Sequence, residues 1–246
     1  MKKVPAITFA AMALFTGAAQ AAVVDDTSLA SPPGVYFGSG NSNTHFTVST
    51  TGSVELGLSA ITRFVGPVVP TGDTYDVATG ATSVPGKTGS AWGFVFSVNL
   101  NADGNGTLNL SDITTKLTLN DVGLGTTGSF DVLGIPDNAE FGTGGVCAPA
   151  FACGPASGFS AFQNSEALSF AAIAALLDSG YDINANDTYI FTLEAFDHAG
   201  ALLGTNTINV VAGTGAAIPE PVTLSLFGAG VAGMAVLRRR KKAQKA

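Results

Sequence analysis

Apolar and polar residues alternate over long stretches of this 246-residue chain. Within residues 54–60, Val54, Leu56, Leu58 and Ala60 fall on one side, and Glu55, Gly57 and Ser59 on the other. A period of two predicts a half-buried strand. The pattern is strongest over residues 92–100. Trp92, Phe94, Phe96, Val98 and Leu100 share a side against Gly93, Val95, Ser97 and Asn99. Five large apolar groups on one face must cover a core. Residues 113–119 alternate in the same way, and 44–50 and 130–135 read as further strands. Residues 189–196 and 202–211 form a hairpin about the turn Asp197-His198-Ala199-Gly200. One segment departs from period two. Over residues 165–179, Phe170, Ile173, Leu176 and Leu177 recur at helical spacing. Asn164 or Ser165 is placed to cap such a helix, and Gly180 to end it.

The connections are rich in Gly, Pro, Thr and Ser. They cover a lead-in at 22–42, a loop at 66–89, an irregular stretch at 137–162 and a linker at 212–217. Short antiparallel strands, a single helix and Gly-rich turns predict a mainly β fold, an antiparallel sandwich of jelly-roll type.

Both ends differ in kind from the middle. Met1-Lys2-Lys3, an apolar run from residue 4 to about 18 and Ala19-Gln20-Ala21 have the order of a secretory signal peptide. The mature chain is expected to begin near Ala22, after export by the Sec machinery. At the other end, Pro219-Glu220-Pro221 precedes an apolar stretch, 222–237, and the cluster Arg238-Arg239-Arg240-Lys241-Lys242. As a helix this stretch is roughly 24 Å long, a little short of a hydrocarbon core of about 30 Å. It can span a bilayer that thins to meet it, with the basic cluster held on the cytoplasmic side.

Pro-Glu-Pro, a short apolar helix and an Arg-rich end resemble the PEP-CTERM sorting tail, the substrate signal of exosortases. The resemblance covers residues 218–242. It implies an exported protein held transiently in the inner membrane, cleaved near Pro219-Glu220-Pro221 and passed to the surface of a Gram-negative cell. It also implies work among exopolysaccharide. Segments 54–58 and 92–99 and the final hairpin are similar to ectodomains that carry the same tail.

The domain division expected is 1–21, 22–217 and 218–246. The middle division is long enough for one core. Its charge changes the picture of possible partners. Arg63, Lys87 and Lys116 are its only basic residues against 17 acidic ones, a net of 3 − 17 = −14, which the tail and the two N-terminal lysines mask in the whole-chain value of −7. Nucleic acid, which needs a basic footprint, is excluded. Cys147 and Cys153 close a short loop, and in an exported chain such a pair is expected to form a disulfide.

The candidate chemistry is sparse. Residues 101–112 place oxygen side chains at loop positions 1, 3, 5, 9 and 12, with Gly106 at position 6. This is similar to an EF-hand or dockerin calcium loop. The resemblance implies Asn101, Asp103, Asn105 and Asp112 as ligands, Thr107 through its carbonyl and Asn109 through water. Asn at position 1 and Asp at position 12 depart from that pattern. The alternative is a hairpin turn, favoured by Asp103-Gly104 and Asn105-Gly106. Asp182, Asn184, Asn186 and Asp187 form a second acidic loop. His45 and His198, the only histidines, are far apart in sequence, and Trp92 reads as core. No nucleophile elbow, Walker loop or zinc helix is present. The expectation is a non-enzymatic surface protein. A calcium-assisted glycan-binding module or adhesin is the alternative, and a secreted hydrolase the third reading.

Overall fold

The computed structural model describes residues 23–30, 43–142, 145–147, 156–177 and 180–215. The expected signal peptide and the sorting tail lie outside them. No helix among the described residues is long and apolar enough to cross a membrane.

Among the described residues, thirteen strands build two sheets. In chain order they are β1 (Val23–Thr27), β2 (Phe46–Thr51), β3 (Val54–Thr62), β4 (Gly66–Pro67), β5 (Thr74–Val77), β6 (Trp92–Asn99) and β7 (Ile113–Asp121). Then come β8 (Thr126–Phe130), β9 (Ala139–Gly142), β10 (Gly145–Cys147), β11 (Ala161–Glu166), β12 (Asp187–Asp197) and β13 (Leu202–Ala212). One sheet has the order β1-β2-β3-β6-β11-β9-β10, with β4 added against β3; the other runs β5-β13-β12-β7-β8. All pairings are antiparallel except β5 with β13, which is parallel. The fold is mainly β, as the alternation predicts.

The main core lies between the sheets. Trp92, Phe94, Phe96 and Val98 of β6 face Tyr189, Phe191 and Leu193 of β12. Trp92 and Tyr189 rings are 5.3 Å apart, Phe94 and Phe191 rings 4.7 Å. These tilted aromatic contacts add packing specificity to the burial of a large apolar area.

Sequence periodicity describes one face of β3 and β6 and misses the other. Both strands are central, so both their faces are covered. Every residue of β6 is buried, and all of β3 but Thr62. A second cluster of Leu29, Phe46, Val48, Ile61 and Val95 packs on the outer side. Leu29, from the lead-in, lies over Gly57, where an added Cβ would stand 2.5 Å from Leu29 Cδ2. The expected half-buried strand at 54–60 is thus buried on both faces.

The expected helix over 165–179 is corrected most strongly. Residues 161–166 form β11, which pairs with β6 on one side and β9 on the other. The ladder groups of β6 need a partner on that side, and this outweighs the local helical spacing. What remains is α1 (Ala171–Ala174), four residues long, continued by a 3₁₀ turn at Ala175–Leu177. Ile173 and Leu177 are buried as the spacing requires, but Phe170 is 43% exposed. Phe130 ends β8, so the strand expected at 130–135 stops where it should begin. The final hairpin stands where the sequence places it, with Gly200 at φ 82° in the turn.

Candidate functional site

Three side-chain oxygens of the loop at 101–112 accept from the loop's own backbone amides. Asn101 Oδ1 accepts from the Gly106 N–H (2.6 Å), and Asp103 Oδ1 from the Asn105 N–H (2.9 Å). Asn105 Nδ2 donates back to the Asp103 carbonyl (3.2 Å). The Asn105 N–H, followed by the Ser53 side chain, holds the Asp103 carboxyl below its usual range. Gly106 is fixed by space. A Cβ there would lie 2.0 Å from the Leu100 carbonyl oxygen. Asp112 ends a 3₁₀ turn, Leu110–Asp112, and its Oδ2 accepts from the Asn109 N–H (2.8 Å) in a capping box. Asn101, Asp103 and Asn105 are therefore brought together, while Asp112 is committed to the turn that starts β7. Thr107 is exposed. No group of three His, Cys, Asp or Glu side chains is placed to hold a metal among the described residues.

The other candidates are dispersed. His45, at φ 63° just ahead of β2, places Nδ1 2.5 Å from Asp26 Oδ1. His198 Nε2 lies 2.7 Å from the Ser111 carbonyl oxygen. The two histidines serve separate loops. Asp182 Oδ1 accepts from the Asn184 N–H, and Asn186 Oδ1 from the Thr214 N–H. Trp92 is 2% exposed, within the core. Cys147 ends β10 and is partly buried against the main core. There is no free cysteine among the described residues, and Cys153 lies outside them.

Two features escape the sequence. One is a pair of buried carboxylates at one end of the sandwich. Asp121 ends the inward row of β7, and Asp187 begins that of β12. Asp187 Oδ1 accepts from the N–H groups of Gly123 (2.8 Å) and Thr188 (2.6 Å), and Asp121 Oδ1 from Leu124 (2.8 Å). Burial, reinforced by the neighbouring Asp187, pushes the Asp121 carboxyl up to about 6. Its sequence signal is an aspartate standing where alternation calls for an apolar residue. The second feature is a cleft of about 470 Å³ between β1 and the edge of β13. Its walls carry Asp25, Gly72, Asp73, Thr205, Asn206 and Thr207. No local motif announces it, since its residues come from three distant segments.

The described residues define a class by fold, a mainly β, acidic sandwich of two sheets. The tail supplies the address. Residues 217–241 match the PEP-CTERM protein-sorting motif, which marks an exosortase substrate and implies an exported, surface-sorted protein with a C-terminal anchor. The match covers the tail alone. No curated protein matches the chain.

Proposed function

We propose that the protein acts, after exosortase processing, as a non-catalytic structural and interaction component of the cell-surface matrix, among exopolysaccharide. The observation that carries the reading is the sorting motif at 217–241 following an acidic sandwich. Three features agree with it. The histidines stabilise separate loops, the lone Trp is core, and the loop oxygens at 101–112 are engaged with backbone amides. A basic exterior would bind anionic polymers indiscriminately, whereas an acidic one remains soluble among neutral glycans. A Cys147–Cys153 disulfide would close the segment that follows β10 once the chain reaches an oxidising compartment.

The test is deletion of the gene in its own host. Cell-surface fractions should contain the processed protein in the parent strain, and the mutant should form a matrix that is weaker or less retained on cells. An unaltered matrix, or a protein never found at the surface, would overturn the reading.

A further inference from the structure

β13 has two edges, and only one is paired along its whole length. β12 covers it from Leu202 to Ala212. On the opposite edge β5 pairs only with Asn209–Ala212. The Asn209 N–H donates to the Asp73 carbonyl on that side (2.9 Å). Backbone groups alternate in direction along a regular strand, so those of Thr205 and Thr207 point the same way, up to the bulge at Leu203 where the register with β12 shifts. Among the described residues they have no strand partner there. An unpaired strand edge is a template for another extended chain.

This edge opens into the cleft of about 470 Å³, where Thr205, Asn206 and Thr207 form one wall. Asp25 and Asp73 stand on the other. A Cβ at Gly72 would lie 3.8 Å from Asp25 Oδ2, so the turn before β5 brings the two aspartates together. Asp73 Oδ1 accepts from Thr74 Oγ1 and Asn209 Nδ2 (both 3.2 Å), which are neutral donors. The three basic side chains of the ectodomain are engaged elsewhere. Arg63 lies over Phe64 and Phe170, Lys87 over Phe64, and Lys116 pairs with Glu194 at 3.6 Å. The one nearby imidazole, His45, is held by Asp26. The wall thus carries two carboxylates without a cation.

We propose that this cleft takes an extended polypeptide segment bearing lysine or arginine, added as a strand to the free edge of β13 at residues 205–207. The backbone of the segment would complete the ladder, and its basic side chains would meet Asp25 and Asp73. A glycan fits less well. It cannot reproduce the alternating amide ladder, and the described residues lining the cleft include no aromatic ring on which a sugar could stack. The inference goes beyond the matrix reading and does not depend on it.

The test uses the full chain in detergent and a fluorescent peptide of about eight residues in which Thr and Lys alternate. Three controls accompany it: the same peptide N-methylated at alternate residues, its Glu-for-Lys counterpart, and a neutral β-linked glucose oligosaccharide. Anisotropy reports binding, and amide exchange reports Thr205 and Thr207. The Thr-Lys peptide should bind and slow exchange at those amides, weakening as salt rises. An Asp25→Asn/Asp73→Asn variant should bind it about tenfold or more weakly, and the methylated and acidic peptides should not bind. Equal binding of the methylated peptide would reduce the effect to charge and overturn strand addition. So would a failure of the Thr-Lys peptide to bind, or protection of the same amides by the oligosaccharide alone. The methylated peptide leaves the protein unaltered, so a folding defect in the variant cannot obscure the result.

Discussion

Asn206 on β13 donates its side-chain amide to two carbonyls of the facing sheet, Thr47 at 2.7 Å and Leu56 at 2.9 Å. It is 1% exposed. The sheets come close here, for a Cβ on Gly204 would stand only 3.3 Å from Leu56 Cδ1. Asn206 therefore ties the layers together where there is little room for a larger side chain. Asn206→Ala removes both donors and leaves two buried carbonyls without them. The expected loss is about 1–3 kcal/mol, seen as a lower midpoint in urea unfolding with an unchanged slope. Asn206→Asp should be worse, because a carboxylate aims negative charge at the same carbonyls.

The pairing of Asp121 with Asp187 makes stability depend on pH in an unusual direction. A carboxyl raised to about 6 in the folded protein holds its proton more tightly there than in the unfolded chain. Its stabilising contribution is complete below the unfolded value, about 4, and is lost as pH rises through 6. Glu166, raised to about 7 by burial and by Asp137, acts in the same sense over a slightly higher window. The melting temperature should fall by several degrees between about pH 4 and pH 8. Asp121→Asn, which keeps a neutral group beside Asp187, should flatten the part of this slope below pH 6 and leave the Glu166 part. An equal slope in both proteins would exclude the pair as its source.

These examples show where the sequence is legible. Alternation over 92–100 and 189–211 locates the central strand and the last hairpin, because both rows of large apolar side chains face one core. It fails where a second layer covers the other face. Nothing local in 54–60 reveals that Leu29 closes over Gly57. It fails again at 161–166, where a strand is imposed by the open edge of β6 and the helical spacing of Ile173 and Leu177 survives only in a short turn. The sorting tail was readable because its signal is contiguous. The cleft and the carboxylate pair were not, since each joins segments that meet only after folding.

The loop at 101–112 offers a sharper contrast between steric and ligand roles. Gly106→Ala forces a Cβ against the Leu100 carbonyl and the Asn101 Cα, at 2.0 and 2.8 Å. Backbone must move, and a loss of roughly 1–3 kcal/mol is expected. Asp112→Ala removes the cap of the 3₁₀ turn and should cost about 1 kcal/mol. With the Asn101 and Asp103 oxygens engaged on loop amides, millimolar calcium should leave the melting temperature unchanged, and chelator likewise. A saturable rise in melting temperature with calcium, abolished by Asp103→Ala, would support the calcium reading of this loop instead.

The tail has a prediction of its own, because its three parts act in sequence. The sorting motif implies a C-terminal anchor, for which the apolar stretch 222–237 would supply burial and the cluster Arg238–Lys242 positive charge on the inner side. Pro219-Glu220-Pro221 is expected just outside, where an exosortase would meet it. Replacing these three residues by alanine should leave the anchor intact and block processing. The variant should accumulate in the membrane fraction at the larger apparent mass, while the parent protein appears at the surface in a shorter form. A strain without exosortase should give the same accumulation with the unaltered chain. Mass spectrometry of the two fractions separates the cases. If the alanine variant were shortened and delivered like the parent, the triplet would not be the sorting signal and the anchor alone would explain the location.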